Sequence, residues 1–159
     1  MATIITDLKE SFRRGTIYIQ LIYINVGVFI LTTLTEVILQ LFNRSLGGAF
    51  EWLELPASLP RFITQPWSIL TYMFMHAGVM HILFNMLWLY WFGALFLSFF
   101  SAKHLRGVYI LGGICGGLLY MAAYNIFPYF RPMTEYSFML GASASVLAVV
   151  AATAYREPN

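Results

Sequence analysis

Charge is scarce in this chain. Only 10% of its 159 residues are Asp, Glu, Lys or Arg, against about 25% in a soluble domain. That is too little polar surface for a water-facing fold, so the chain is built for lipid. The formal net charge is +2 and no basic patch interleaves with aromatics, which excludes nucleic acid as a partner. A single cysteine, Cys115, excludes an internal disulfide, and inside an apolar run it reads as packing. Metal-ligand spacing is missing as well. His76 and His81 stand about 140° apart round a helix, so they do not form a metal pair.

What the chain has in quantity is apolar runs. Residues 1–15 form a short segment of mixed charge, with Lys9, Arg13 and Arg14 just before the first run. Residues 16–41 are longer than a signal-peptide core, and no small-residue cleavage site follows them. A stretch of about 20 apolar residues crosses the hydrocarbon, so the expected division is a cytoplasmic segment, 1–15, and a membrane domain, 16–159. The expected fold is an all-α polytopic bundle with four spanning helices near 17–41, 79–100, 107–127 and 141–155. Lys103, His104 and Arg106 read as a tight basic turn before the third helix. Glu36, near the far end of the first, reads as an interfacial or helix-pairing residue.

Residues 43–66 make a long connection holding Gly47, Gly48, Pro56, Pro60 and Pro66, yet also Phe50, Trp52, Leu53 and Phe62. It is too long for an ordinary turn and too apolar for disorder. It should lie in the outer interface with Trp52 and Trp67 at headgroup level. In the third run, Gly112-Gly113-Ile114-Cys115-Gly116-Gly117 supplies overlapping small-xxx-small pairs that permit close backbone contact with a neighbouring helix. No strand–turn–helix context surrounds these glycines, so they are not a phosphate loop.

Lys and Arg set the orientation. With the N-terminus inside, the inner segments hold Lys9, Arg13, Arg14, Lys103, Arg106 and Arg156, while the outer ones hold Arg44, Arg61 and Arg131. This favours both termini in the cytoplasm, as in the inner or plasma membrane of a bacterium.

Two polar residues interrupt the second run. His81 and Asn85 stand four apart, about 40° from each other on a helix, and Trp88 and Phe92 continue the stripe as an aromatic floor. Such side chains at membrane depth are costly unless they meet protein, water or substrate. The bland explanation is a polar helix–helix contact. Topology argues for more. The second helix enters from the outer side, putting His81 and Asn85 about 5 and 10 Å down from Gly78. The fourth run starts from the same side, with Ser143 shortly after Phe138. The three polar groups therefore share a depth.

Small residues in Gly141-Ala142-Ser143-Ala144 would let a loop dip into the membrane before a helix opens. A helix opening at Ser143 aims free N–H groups and a positive dipole end at the site. A serine attacking a carbonyl creates an oxyanion, which the Ser143 amide and donors from His81 and Asn85 would stabilise. A lone Gly-x-Ser is weak, since most intramembrane serines bond back to their own helix. The pairing with His81 and Asn85 makes it specific.

The segment His76-Ala77-Gly78-Val79-Met80-His81-Ile82-Leu83-Phe84-Asn85, with Gly141-Ala142-Ser143 on a later helix, resembles the rhomboid family of intramembrane serine proteases. The likeness runs from about Trp67 to Ala148. It implies Ser143 as the nucleophile, His81 and Asn85 as oxyanion support, and His76 near a water-facing mouth. It implies transmembrane protein substrates cut near their outer ends, contact with the lipid bilayer, and no metal or organic cofactor. Several positions depart from the family pattern. Ala144 stands where glycine is common, adding a methyl near the oxyanion, Trp67-Ser68 replaces a Trp-Arg pair, and Leu147 stands where an aromatic residue often stacks on the base. The family's general base is a histidine on a sixth helix, and this chain closes at Arg156-Glu157-Pro158-Asn159 after four. The implied molecule is the N-terminal four-helix part of a rhomboid protease, inactive by itself. The alternative is a truncated or inactive rhomboid-like fragment that binds membrane segments without cutting them, or serves as a multipass client of membrane-insertion machinery or a chaperone. A transporter would want paired broken helices and a midplane ionisable site, and neither occurs.

Overall fold

The computed structural model describes residues 2–44 and 48–156. Gly47 and the closing residues 157–159 lie outside the described residues. Among the described residues, seven α-helices run in chain order: α1 (Ala2–Arg14), α2 (Ile17–Leu41), α3 (Leu59–Thr64), α4 (Ser68–Thr71), α5 (Val79–Phe99), α6 (Ala102–Ile126) and α7 (Ser143–Arg156). Three of them, α2, α5 and α6, are long and apolar enough to cross a membrane. The protein is an all-α polytopic membrane protein.

The fourth expected span is shorter than the others. α7 has 14 residues, about 21 Å at 1.5 Å per residue, below the roughly 30 Å of a hydrocarbon core. It starts two residues late because the chain stays irregular through Gly141 and Ala142 before turning helical at Ser143, and the described part ends at Arg156. The third span also starts earlier than expected. Lys103, His104 and Arg106 belong to the first turns of α6, not to a separate turn. Cations oppose the positive end of a helix dipole, which hides this helix start in the sequence. Ser101 precedes the helix in an extended conformation, with its Oγ 2.9 Å from His104 Nδ1.

α7 lies between α5 and α6, and α2 packs on α5. The seam between α6 and α7 is built of the small residues that the sequence singles out. A Cβ added at Gly116 would fall 2.5 Å from the Cβ of Ala144, and one at Gly112 would collide with the Cβ of Ala148. Glycines one turn apart on α6 thus receive alanines one turn apart on α7, bringing the two backbones together. The crossing of α2 and α5 uses the same device, because a Cβ at Gly93 would lie 2.6 Å from that of Tyr18. One polar lock joins α2 to α6: buried Asn25 donates from Nδ2 to the Tyr109 hydroxyl at 3.2 Å and to the Leu21 carbonyl at 2.8 Å.

From Gly48 on, the connection after α2 is structured. A short 3-10 turn at Ala49–Trp52 leads into strand β1 (Leu55–Pro56), which pairs antiparallel with β2 (Phe138–Met139). Trp52 and Trp67 stack at 6.2 Å, and the Trp67 indole N–H donates to the Trp52 carbonyl at 2.7 Å. Gln65, almost fully buried, donates to the carbonyls of Glu51 and Glu54. The chain then dips inward as α4 and a 3-10 turn at Tyr72–Phe74, with Ser68, Tyr72 and Met73 fully buried. This inward segment is too short for a span and too apolar for a surface loop, so periodicity does not reveal it.

Candidate active site

The turn 141–143 sits where three segments meet. Gly141 has φ +122°, a backbone conformation that costs glycine little and L side chains much. Its N–H donates to the Tyr72 carbonyl at 2.9 Å. The N–H of Ala142 faces His76 Nε2 at 3.5 Å. Upstream, the β1–β2 ladder and a 3.0 Å bond from the Ala57 N–H to the Ser137 carbonyl fix the approach. Helix bonding resumes with Val146 N–H to the Ala142 carbonyl at 2.8 Å. The amides of Ser143, Ala144 and Ser145 thus lie in the opening turn, whose N–H groups lack intrahelical partners. Ser143 is the first residue of α7, and its hydroxyl makes no hydrogen bond among the described residues.

Gly141 also adjoins His81. A Cβ at Gly141 would lie 2.7 Å from both Cε1 and Nε2 of that ring. The other ring nitrogen, Nδ1, faces the Ala77 N–H at 3.5 Å. With Nδ1 as acceptor, the neutral imidazole carries its proton on Nε2, beside the turn that ends in Ser143. Asn85, 7% exposed, lies one turn further along α5 and gives one amide hydrogen to the His81 carbonyl at 2.9 Å. Its second amide hydrogen remains for another acceptor. Beneath Asn85 the buried stripe of α5 runs through Leu89 and Gly93, whereas Trp88 faces outward and stacks on Phe92 at 5.2 Å. The floor under the polar pair is therefore aliphatic, because the buried face follows 85, 89 and 93 instead of 85, 88 and 92.

His76, in the connection before α5, is 8% exposed. Its ring meets that of His81 edge-on at 5.1 Å. Burial first, and then the neighbouring His81, push its pKa down to about 4, against a smaller opposing effect of the Phe74 backbone. At neutral pH His76 is therefore uncharged, as its role of accepting from the Ala142 N–H requires. It also lines a cavity of about 350 Å³, together with Thr32, Glu36, Glu54 and Leu140. Burial, then Glu51 and Glu36, raise the pKa of Glu54.

Two side chains near Ser143 point elsewhere. The Ala144 methyl, expected near a developing oxyanion, is directed at Gly116 on α6. Ser145 is fully buried against Gly113, and its Oγ has no hydrogen-bond partner among the described residues. A buried, unpaired hydroxyl costs about 1–3 kcal/mol. Ser145→Ala is accordingly expected to leave the thermal midpoint in detergent unchanged or slightly higher, and a clear fall would contradict this placement. Sequence reasoning passes over Tyr72, whose carbonyl holds Gly141 and whose hydroxyl donates to the Gly113 carbonyl at 2.6 Å. Nothing in a single tyrosine within a short apolar stretch marks it.

Among the described residues, no cluster of His, Cys, Asp and Glu could hold a metal ion. The protein-family model described as Rhomboid domain matches residues 64–159, a stretch that includes His76, His81, Asn85 and Ser143. Among curated proteins, none matches the chain.

Proposed function

Because the chain belongs to the rhomboid family, we propose that it carries the nucleophile and oxyanion half of an intramembrane serine protease. Its substrates are transmembrane proteins, cut near their outer ends. The observation that supports this most is the seating of the Gly141–Ser143 turn against His81, with Ser143 opening α7 and its hydroxyl unengaged. Ser143 attacks the scissile carbonyl. The opening amides of α7, His81 Nε2–H and the free amide hydrogen of Asn85 take up the charge that develops on oxygen. His76 holds the turn through the Ala142 N–H and stays neutral.

A serine hydroxyl needs an adjacent base to attack near neutral pH. His76 accepts from the Ala142 N–H, His81 accepts from the Ala77 N–H and is assigned to the oxyanion through Nε2, and His104 is bonded to Ser101 at the other end of α5. As the family resemblance implies, the base is a histidine on a later helix, which the described residues do not supply, and without it Ser143 is expected not to turn over substrate. Both termini of this chain are cytoplasmic, and the connection between α2 and α5 faces outside.

The second reading is a non-cutting relative that binds membrane segments, favoured by the fact that the two histidines described beside the turn, His76 and His81, are both assigned to other roles. A fluorophosphonate probe together with cleavage of a transmembrane substrate separates the two. In a chain extended to include the base, probe labelling and cleavage are expected and are lost in Ser143→Ala. Asn85→Ala should slow cleavage by about 10²–10³-fold, as for one oxyanion donor. An extended chain that binds substrate but neither labels nor cuts would establish the second reading. Undiminished cleavage by Ser143→Ala would reject the nucleophile assignment.

A further inference from the structure

The first fifteen residues read as a polar, mixed-charge segment, but Ala2–Arg14 form a 13-residue helix, α1. At 100° per residue, Ile4, Leu8, Phe12 and Ile5 fall within about 100° of arc. All four are exposed, at 64%, 52%, 39% and 69% for Ile4, Leu8, Phe12 and Ile5. Lys9 borders that arc on one side and Ser11 on the other, while Glu10 lies opposite.

The bend into α2 is fixed. A Cβ at Gly15 would lie 2.9 Å from the Ser11 carbonyl oxygen and 3.1 Å from the Ile19 side chain, so glycine allows the tight turn. Ser11 Oγ lies 3.0 Å from the Tyr23 hydroxyl, the Gln20 amide donates to the Phe12 carbonyl at 3.2 Å, and the rings of Phe12 and Tyr23 meet edge-on at 6.4 Å. These contacts fold the end of α1 back onto the opening turns of α2. α1 therefore cannot extend α2 into the water; it is turned aside where the first span leaves the bilayer.

We propose that α1 lies in the plane of the membrane interface as an amphipathic foot, its occupant being the lipid leaflet at which α2 begins. Two observations name lipid as the occupant. The apolar arc is continuous, through Phe12 and Tyr23, with the lipid-facing surface of a spanning helix. The cations Lys9, Arg13 and Arg14 cluster in the last turns, next to the point of entry, where long cationic side chains reach phosphate headgroups while their stems stay in the apolar zone. An apolar face of this kind settles at the boundary between headgroups and acyl chains.

The test uses the whole chain in vesicles of phosphatidylcholine and phosphatidylglycerol. Cys115 is replaced by Ala, and single cysteines at positions 5, 8 and 10 carry an environment-sensitive fluorophore. Labels at 5 and 8 should emit further to the blue than the label at 10. Lipids brominated high on the acyl chain should quench them several-fold more strongly than it, and aqueous iodide should quench them less. Equal exposure of all three positions to iodide would mean that α1 stands in water, and would overturn the proposal. So would equal bromine quenching of all three, which means full immersion. Protection of 5 and 8 from both quenchers would show that protein, not lipid, covers the face. None of these readouts depends on proteolysis.

Discussion

Gly116→Val is expected to lower the thermal unfolding midpoint of the detergent-solubilised protein by several degrees. The added branches must enter a space where a single Cβ already lies 2.5 Å from the Cβ of Ala144, well inside the 3.5–4.0 Å at which carbon atoms attract. Both atoms hang on helix backbone, so relief requires α6 and α7 to separate. Overpacking of this kind costs about 1–3 kcal/mol, and a protein of this size loses about 2–4 °C per kcal/mol. Gly107, on the same helix, supplies the control. A Cβ there meets nothing within 4 Å, so Gly107→Ala, gaining up to about 1 kcal/mol of helix propensity, should raise the midpoint by up to about 2–4 °C. Equal effects of the two substitutions would show that propensity, not the helix seam, governs stability.

Gly141→Ala is expected to cut proteolysis by the base-containing chain by about 10²-fold or more while leaving most of its stability. Two costs act at one atom. The φ of +122° is one that alanine rarely adopts, a strain of about 1–3 kcal/mol, and the new methyl would lie 2.7 Å from the His81 ring. Either the turn or the imidazole must move, and displacement of a catalytic group by about 1 Å can cost 10²-fold in rate. Gly78 separates this effect from a general need for glycine. Its φ is 177°, ordinary extended backbone, and a Cβ there meets nothing within 4 Å, so Gly78→Ala should keep full activity. Cleavage rates of the two variants under saturating substrate are the measurement. Full activity in Gly141→Ala would remove the turn and His81 from the reaction.

Legibility in the sequence follows the physics of each element. Three spans announce themselves because long apolar runs have no other use, and the glycine run on α6 reads as a helix seam because close backbones need small residues. Ser143, His81 and Asn85 stand out as polar groups in lipid. The seating of the Gly141 turn beside His81 is less legible, since it depends on Gly141 bonding to Tyr72 and on a two-residue ladder between distant loops. Neither leaves a periodic trace. α1 is hidden for another reason. Asp7, Lys9, Glu10, Arg13 and Arg14 dominate its composition, while its apolar arc emerges only after helical winding. The start of α6 is hidden because Lys103 and Arg106 occupy the end of a helix that cations usually avoid.

The ladder between Leu55–Pro56 and Phe138–Met139 also sets a schedule for biogenesis. α5 enters the bilayer before its partner exists, and 58 residues separate Asn85 from Ser143. At about 5–20 residues per second of synthesis, His76 and His81 wait for roughly 3–12 s without the turn that later meets them. During that interval His81 and Asn85 keep their local bonds to the Ala77 N–H and the His81 carbonyl, while His76 lacks the Ala142 N–H. Ser143 is not yet synthesised during that wait, and when it arrives the turn that presents it closes onto α5. Of His76, His81, Asn85 and Ser143, the serine that opens α7 is thus the last to arrive, after the three polar groups of the earlier segment.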